Sequence, residues 1–579
     1  MEDIIMCRCC ARWLAAGILF GLLVSAAHAD EDAKMSFLRT EGRQIVDEQG
    51  KQVTLRGVNL GSWLQIEIGM SRVEGTYGER YFKALGLIDD KEKRRKLEKE
   101  LRKEIGDIEF SEDKKKQAFK ILEAQLSKAE LEKLRDYVDK RPHINDERTL
   151  WTVLAKRFGD EKMRVLQDAY RGQWICEDDF KVLAAMGVNL VRIPFWYGLL
   201  EDDSSPYKYR EDGFKYLDNA VEWGARHKVY CLLDLHGAPG GQSRASHTGE
   251  ANRNELWSNE EFQKRTVALW KAIADRYKDK PQIAAYDLLN EPMDPPNVKA
   301  ILTLYEEICK AIRSVDKKHM IFLEDGYKGL DKMPEPGKKG WENVVCSPHY
   351  YLWDSELCGK RPEQIYPRHF SQMRKQQERL NTPLHIGEFN ARTLEEAGEY
   401  MKIFNEYGWH WNLWTYKFMY RDGEKRQKGK RNWSLYHGKN EQQVDVCDDS
   451  YEELRAKFKS YNTVSFTIDE EYKRLLQTYL QSGTKTVVSN DEILVFLQDL
   501  KTQNFHDLAR RGKEIFRVGL YVPSHATIFE KYGHENLEND IVRYDLYFVE
   551  GEAGVAFIHL FMERTTGKIE KFDEGEAIR

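Results

Sequence analysis

Eight short apolar runs, separated by amphipathic helical stretches, constrain this chain more than any other feature of it. One lies near residues 53–60. The others are Val188–Phe195, Val229–His236, Ile283–Asn290, Met320–Asp325, Val344–His349, Pro383–Glu388 and Trp409–Trp414. Runs of this length that are apolar at nearly every position suit strands buried on both faces, as in a parallel sheet with helices packed outside it. Eight such β/α units over roughly 400 residues, insertions included, predict a closed (β/α)8 TIM barrel of the α/β class. An open doubly wound sheet is the alternative, but no glycine-rich phosphate loop follows any of the runs.

The rest of the chain decorates this barrel. Residues 1–29 read as a secretory signal peptide. Arg8 and Arg12 precede an apolar run from Trp13 to Ala26, and Ala27-His28-Ala29 offers a small-x-small cleavage site. That run is too short for a comfortable membrane span, so no transmembrane segment is expected after cleavage, and the product would be secreted or periplasmic. Residues 30–480 form the predicted catalytic domain. It begins with a hairpin whose two arms, Thr40–Asp47 and Gln52–Leu60, flank a Gln49-Gly50 turn. About residues 84–147 a Lys/Glu-rich stretch interrupts the pattern. Leu97, Leu101 and Ile105 recur there every fourth residue, Ser111 and Ser127 have the character of helix N-caps, and Ser127 with Glu130 fits a capping box. Two or three solvated amphipathic helices follow from this. Helical segments at 450–461 and 467–480 complete the barrel. Residues 488–579 predict a small α+β accessory domain, helical over 491–514, with strands near 541–549, 554–563 and 567–572.

Charge and cysteine content narrow the partners. The formal net charge is -6 with both signs interspersed, so neither nucleic acid nor an anionic membrane is the expected partner. Cys176, Cys231, Cys309, Cys346, Cys358 and Cys447 lie beyond the signal segment without CxxC or Cys/His zinc spacing. Cys231 and Cys346 sit inside apolar runs and are expected to be buried free thiols. No metal or cofactor is implied.

The chemistry lies in what ends the runs. Arg192, His236, Asn290 with Glu291, His349 with Tyr351, Glu388 and Trp414 all fall at or just past the C-terminal ends of predicted strands, the face on which barrels of this kind carry their sites. Buried ionisable groups without partners are costly, so these should converge and satisfy one another. Two glutamates on non-adjacent strands point to glycoside hydrolysis, in which one carboxyl protonates the leaving oxygen and the other attacks the anomeric carbon. Asn290-Glu291-Pro292 and Gly387-Glu388-Phe389 resemble the acid/base and nucleophile motifs of glycoside hydrolase family 5. Val191-Arg192-Ile193-Pro194, His236, His349-Tyr350-Tyr351 and Trp414 match its other site positions in order. The similarity covers about residues 35–480 outside the insertion. Within the family it is nearest to the exo-β-1,3-glucanase-like group, through Arg56-Gly-Val-Asn-Leu-Gly-Ser-Trp-Leu64, Ala169–Phe180 and Asp234–Gln242; Glu67 falls where that group has a glucose-contacting glutamate. Ser62 and Gln65-Ile66 depart from its first motif.

The resemblance implies a retaining β-glycosidase acting on a β-linked oligo- or polysaccharide, with β-1,3-glucan preferred. Glu291 would be the acid/base, held partly protonated by burial and by the charge of Glu388, and Glu388 the nucleophile, kept ionised by Arg192 and a Tyr351 hydrogen bond. Asn290 would hold the sugar 2-OH, His236 and His349 would bind hydroxyls or orient the carboxyls, and Trp414 would floor the reacting sugar. Glu324 and Asp325 also end a strand and compete for the acid role. Trp257, Trp353 and Trp433 are loop aromatics able to stack on further sugars. An endo-cellulase or β-mannanase with the same residues, or a non-catalytic carbohydrate-binding barrel, are the competing functions. A zinc hydrolase would need an HxH pattern on a strand, which is absent from the sequence.

Overall fold

The computed structural model describes residues 35–481, apart from 72, 74–76, 106–111, 354–359, 361 and 420–432, together with three strands beyond residue 540. The signal segment, Ser111, Cys358 and the helix expected over 491–514 lie outside the described residues. The chain divides into two compact units, one ending at Lys473 and the other beginning at Arg474.

The first unit is built on a ring of parallel strands: β1 (Arg56–Asn59), β2 (Leu190–Trp196), β3 (Tyr230–Gly237), β4 (Ile283–Asp287), β5 (Met320–Leu323), β6 (Val344–Cys346, resumed at Tyr350–Tyr351), β7 (His385–Asn390) and β8 (His410–Leu413). Each pairs in parallel with its neighbours in chain order, and β8 pairs with β1. Closure comes from β6. Tyr350 and Tyr351 pair with Phe389 and Asn390 of β7, and Cys346 bridges to Leu384. The eight predicted runs are therefore the eight staves of a (β/α)8 barrel. Their burial follows the expectation for such a sheet: every residue of β2, β4, β5, β7 and β8 is buried. Cys231 and Cys346 are buried free thiols, and Cys176 and Cys309 are also free.

The entry hairpin is tighter than predicted. Arg39–Glu41 pairs with Gln44–Val46 about Gly42, which takes a left-handed φ of 55°. The Gln49-Gly50 turn exists, but it is spanned by a single Val46–Gln52 bridge rather than by two full arms. Local glycine chemistry at position 42 places the strand exchange there.

The charged insertion differs more. Helices Tyr77–Ala84, Lys91–Ile105, Glu112–Gln125 and Lys128–Asp139 are not merely solvated. Tyr81, Leu85, Leu97, Leu101, Leu122, Leu134 and Val138 pool into a buried apolar cluster of their own. Each helix supplies a stripe too narrow to form a core, and together they enclose one. Ser127 caps the last of them through a complete capping box with Glu130. Ser127→Ala should destabilise this helix by about 1 kcal/mol; chemical denaturation monitored by helix signal checks it, and an unchanged transition would count against the cap.

The second unit contains an antiparallel sheet of Ile541–Glu550, Gly554–Glu563 and Ile569–Ile578. Its last strand runs six residues past the predicted end at 572. Among the described residues no helix is long and apolar enough to cross a membrane.

Candidate active site

Arg192 organises the C-terminal mouth of the barrel. Its side chain is fully buried, and each face of the guanidinium meets an acceptor. Nε donates to Asp287 Oδ2 at 2.8 Å. Nη1 donates to Glu388 Oε1 at 2.7 Å and to Asn59 Oδ1 at 3.1 Å. Nη2 donates to Asn290 Oδ1 and Glu324 Oε1, both at 2.9 Å, and lies 3.1 Å from Asp234 Oδ2. Five barrel strands or their ends thus share one cation. Burial disfavours its charge, but the carboxylates of Asp234, Asp287, Glu388 and Glu324 outweigh that and hold the group well above its usual range.

Glu388, on β7, is gripped from both sides. Oε1 accepts from Arg192, Oε2 accepts from the Tyr351 hydroxyl at 2.8 Å, and His349 Nδ1 stands 3.5 Å from Oε2. Glu291 follows β4. Its Oε1 accepts from the Tyr327 hydroxyl at 2.8 Å and lies 2.8 Å from His349 Nδ1, while Oε2 faces His247 Nε2 at 3.6 Å. One oxygen of Glu291, one of Glu388 and a ring nitrogen of His349 all lie within 4.8 Å of one another. His349 therefore stands between the two carboxylates. Burial works against a charge on its ring, but Glu324, Glu388 and Glu291 override this and keep it cationic.

The proton distribution corrects one expectation. Burial does push the Glu291 carboxyl up, as anticipated. The hydrogen bond with His349, the charges of His247 and His349, and the Tyr327 hydroxyl outweigh it and hold Glu291 well below the usual carboxylate range. In this arrangement the pair's proton resides on His349, not on Glu291. Protons are stored elsewhere in the cluster. Burial, only partly offset by Arg192, pushes Asp234 and Asp287 up to about 6. Burial, reinforced by the charges of Glu388 and Glu291, pushes Glu67 up to about 8.

The remaining predicted residues lie around this pair. His236 hydrogen-bonds Asp234 Oδ2 through Nδ1 at 2.7 Å, is held neutral chiefly by burial, and stacks on Trp414 at 5.6 Å and 10°. Trp414 packs with Met70 and Phe418, joined by Tyr351 and Trp433. Asn290 turns its oxygen to Arg192 and leaves Nδ2 without a hydrogen-bond partner among the described residues. Glu67 Oε1 is likewise unpartnered there. The loop that carries Glu67 is pinned from below. The Ile66 amide donates to Glu147 Oε2 at 2.7 Å, the Trp63 indole to the Arg171 carbonyl at 2.7 Å, and the Trp174 indole to the Gly61 carbonyl at 2.9 Å. Ser62 adopts φ 59° and exchanges hydrogen bonds with Glu67. Trp353 is half exposed and stacks on Tyr351, whereas Trp257 ties its indole to the Gln242 carbonyl.

Asp234, Asp287, Tyr327 and His247 were missed as site residues. The two aspartates carried a signal, since a carboxylate inside an otherwise apolar strand demands a buried partner. Tyr327 and His247 carried none, because loops bring them in. Of the competitors for the acid role, Glu324 points at Arg192 and His349, and Asp325 accepts from the Gly329 amide at 2.7 Å, fixing the Tyr327 loop. Two acid groups are close enough to ligate a metal ion, Glu291–His349–Glu388 and Asp234–Asp287–Glu324. In each a protein cation, His349 or Arg192, already supplies the positive charge.

Residues 160–419 match the family model described as cellulase, glycosyl hydrolase family 5. Over those residues the barrel is a glycosyl hydrolase family 5 domain. Relatives of the chain include a β-xylosidase of Phanerodontia chrysosporium, 24% identical, covering 66% of the chain and 71% of the relative. A probable glucan 1,3-β-glucosidase A of Aspergillus clavatus is 32% identical over 36% of the chain and 49% of the relative. Endoglucanase C of Acetivibrio thermocellus is 30% identical over 31% of the chain and 50% of the relative. The chain thus spans about half the length of the latter two.

Proposed function

We propose that the protein is a retaining β-glycosidase of β-glucan-type saccharides, with β-1,3-linked glucan preferred, Glu291 as acid/base and Glu388 as nucleophile. The observation that carries this is the closeness of the two carboxyls, oxygen to oxygen within 4.8 Å. Inverting enzymes keep theirs roughly 6.5–9.5 Å apart to admit a water, and retaining ones about 5–5.5 Å. A Glu388 oxygen attacks the anomeric carbon as the bond to the leaving oxygen breaks, and that oxygen receives through Glu291 the proton that the His349–Glu291 pair holds on His349. Water then attacks the same carbon, Glu291 takes back a proton, and Glu388 leaves. The Nδ2 of Asn290, unpartnered among the described residues, supports a donor role toward the sugar 2-OH, and Trp414, backed by His236, supports a platform beneath the ring. The exposed face of Trp353 offers stacking for a further sugar. The signal-like N-terminus supports export.

The glucan preference rests on the loop that holds Glu67 and on the glucan 1,3-β-glucosidase relative. The endoglucanase relative supports the second reading, an endo-cellulase. Product analysis on laminarin, mixed-linkage glucan, cellulose, mannan and an aryl β-xyloside separates them. Glucose released from laminarin with retained β configuration is expected. Exclusive cleavage of cellulose, mannan or the xyloside would reassign the substrate, and inertness toward all would indicate a binding protein.

Glu67 gives a pH test. Its raised value means it stays protonated through neutrality and ionises near pH 8. Its contribution to stability is then present in acid and lost as pH rises through 8. Ionisation also adds a third negative charge beside Glu388 and Glu291. The kcat/KM profile should fall above about pH 8, and Glu67→Gln should raise KM while removing that fall. A variant retaining the same alkaline limb would assign it to another group.

A further inference from the structure

Glu324 closes a ring around Glu291. Its Oε2 accepts from the Glu291 backbone N–H at 2.7 Å. Its Oε1 lies 3.1 Å from His349 Nε2, and the opposite ring nitrogen, Nδ1, lies 2.8 Å from Glu291 Oε1. One carboxylate therefore holds both the main chain of Glu291 and the imidazole that holds its side chain. The need for such a hold is local. Glu291 has φ 41°, in the left-handed region that a side chain disfavours, and such a conformation persists only where its surroundings enforce it. The ring is itself anchored: Arg192 Nη2 donates to Glu324 Oε1 at 2.9 Å, and the Tyr305 hydroxyl donates to the Glu324 carbonyl at 3.0 Å from helix Val298–Arg313. Asp234 and Asp287 flank the carboxylate on β3 and β4. Glu324, Arg192 and His349 are all buried, so water does not compete for these contacts.

We propose that Glu324 is a positioning residue for the acid/base, locking the Glu291 main chain and His349 into one unit so that the Glu291 carboxyl meets the leaving oxygen in register. The inference rests on the assignment of Glu291 as acid/base. A gain or loss of register at a proton donor affects leaving groups that need a proton and spares those that do not. Glutamine at 324 would turn an N–H2 toward the donors of Arg192 and His349, breaking the ring on that side. Aspartate keeps a carboxyl group but withdraws it by one methylene from both the Glu291 amide and the imidazole.

The test compares Glu324→Gln, Glu324→Asp and Glu291→Gln on laminaribiose, whose leaving sugar needs a proton, and on dinitrophenyl β-glucoside, whose leaving group does not. Thermal melting checks each fold. For both Glu324 variants, kcat/KM on laminaribiose should fall by about 30-fold or more, with about threefold or less on the aryl glucoside. Equal losses on the two substrates, the mark of a merely structural role, or no loss in either variant, would overturn the proposal. If Glu291→Gln itself shows no leaving-group dependence, the acid/base assignment fails. If it shows the dependence and the Glu324 variants do not, only the role of Glu324 fails.

Discussion

Glu388→Gln should reduce turnover by about 10⁵-fold or more while leaving the fold and saccharide binding in place. The amide keeps the shape of the side chain: its oxygen can still accept from Arg192 Nη1, while its N–H2 can donate to the Tyr351 hydroxyl oxygen, so both neighbours that hold Glu388 keep a partner. What it loses is the anionic electron pair that, in the proposed mechanism, forms the bond to the anomeric carbon. A 2-fluoroglycoside that traps the intermediate should label Glu388 in the unaltered protein. Near-normal turnover in the variant, or a label on Glu324 or Glu67, would move the nucleophile elsewhere.

The second large effect is on stability. Arg192→Met should destabilise the barrel by about 3–5 kcal/mol, because removing one member of a buried ionic cluster leaves the others uncompensated. Asp234, Asp287, Glu324 and Glu388 would all lose their shared donor. The sign of the pH dependence follows. Asp234 and Asp287 stand at about 6 even beside Arg192, above the ordinary 3.8. Without the cation they rise further, so the variant tolerates them only as neutral acids. Stability is then present in acid and lost as pH rises. Denaturation midpoints of variant and unaltered protein should converge near about pH 5 and separate progressively above pH 6. A constant difference across that range would mean that packing, rather than charge, dominates.

Much of this site is legible in the amino-acid sequence. The apolar runs located all eight strands, because burial on both faces leaves few polar positions to confuse the pattern. The residues that end them, from Arg192 to Trp414, converge because a barrel brings its strand ends to one face. The insertion was misread as solvated for a physical reason. Leu97 and Leu101 on one helix, Leu122 on the next and Leu134 with Val138 on a third each look like thin stripes. Only their mutual packing makes a core, and a pattern read one helix at a time does not contain it. Tyr327 escaped because Gly326 and Tyr327 both take left-handed φ values, 58° and 59°, and swing the phenol back over the barrel mouth. The protonation of Glu291 was anticipated in the wrong direction because burial and the like charge of Glu388 were counted, whereas His349, His247 and Tyr327 could be placed around it only in three dimensions.

The unequal occupation of the two Glu291 oxygens reaches beyond protonation. Oε1 is taken by Tyr327 and His349, and among the described residues Oε2 has His247 as its polar neighbour, at 3.6 Å. In the proposed mechanism, with the pair's proton delivered through Glu291, Oε2 is the oxygen that meets the leaving group, along one line. On that proposal, a saccharide whose leaving oxygen does not lie on that line would be bound without being cut, and the torsion about the scissile bond would become a selection criterion. Linkage discrimination then begins at the direction of a single O–H bond, before any distal sugar is recognised.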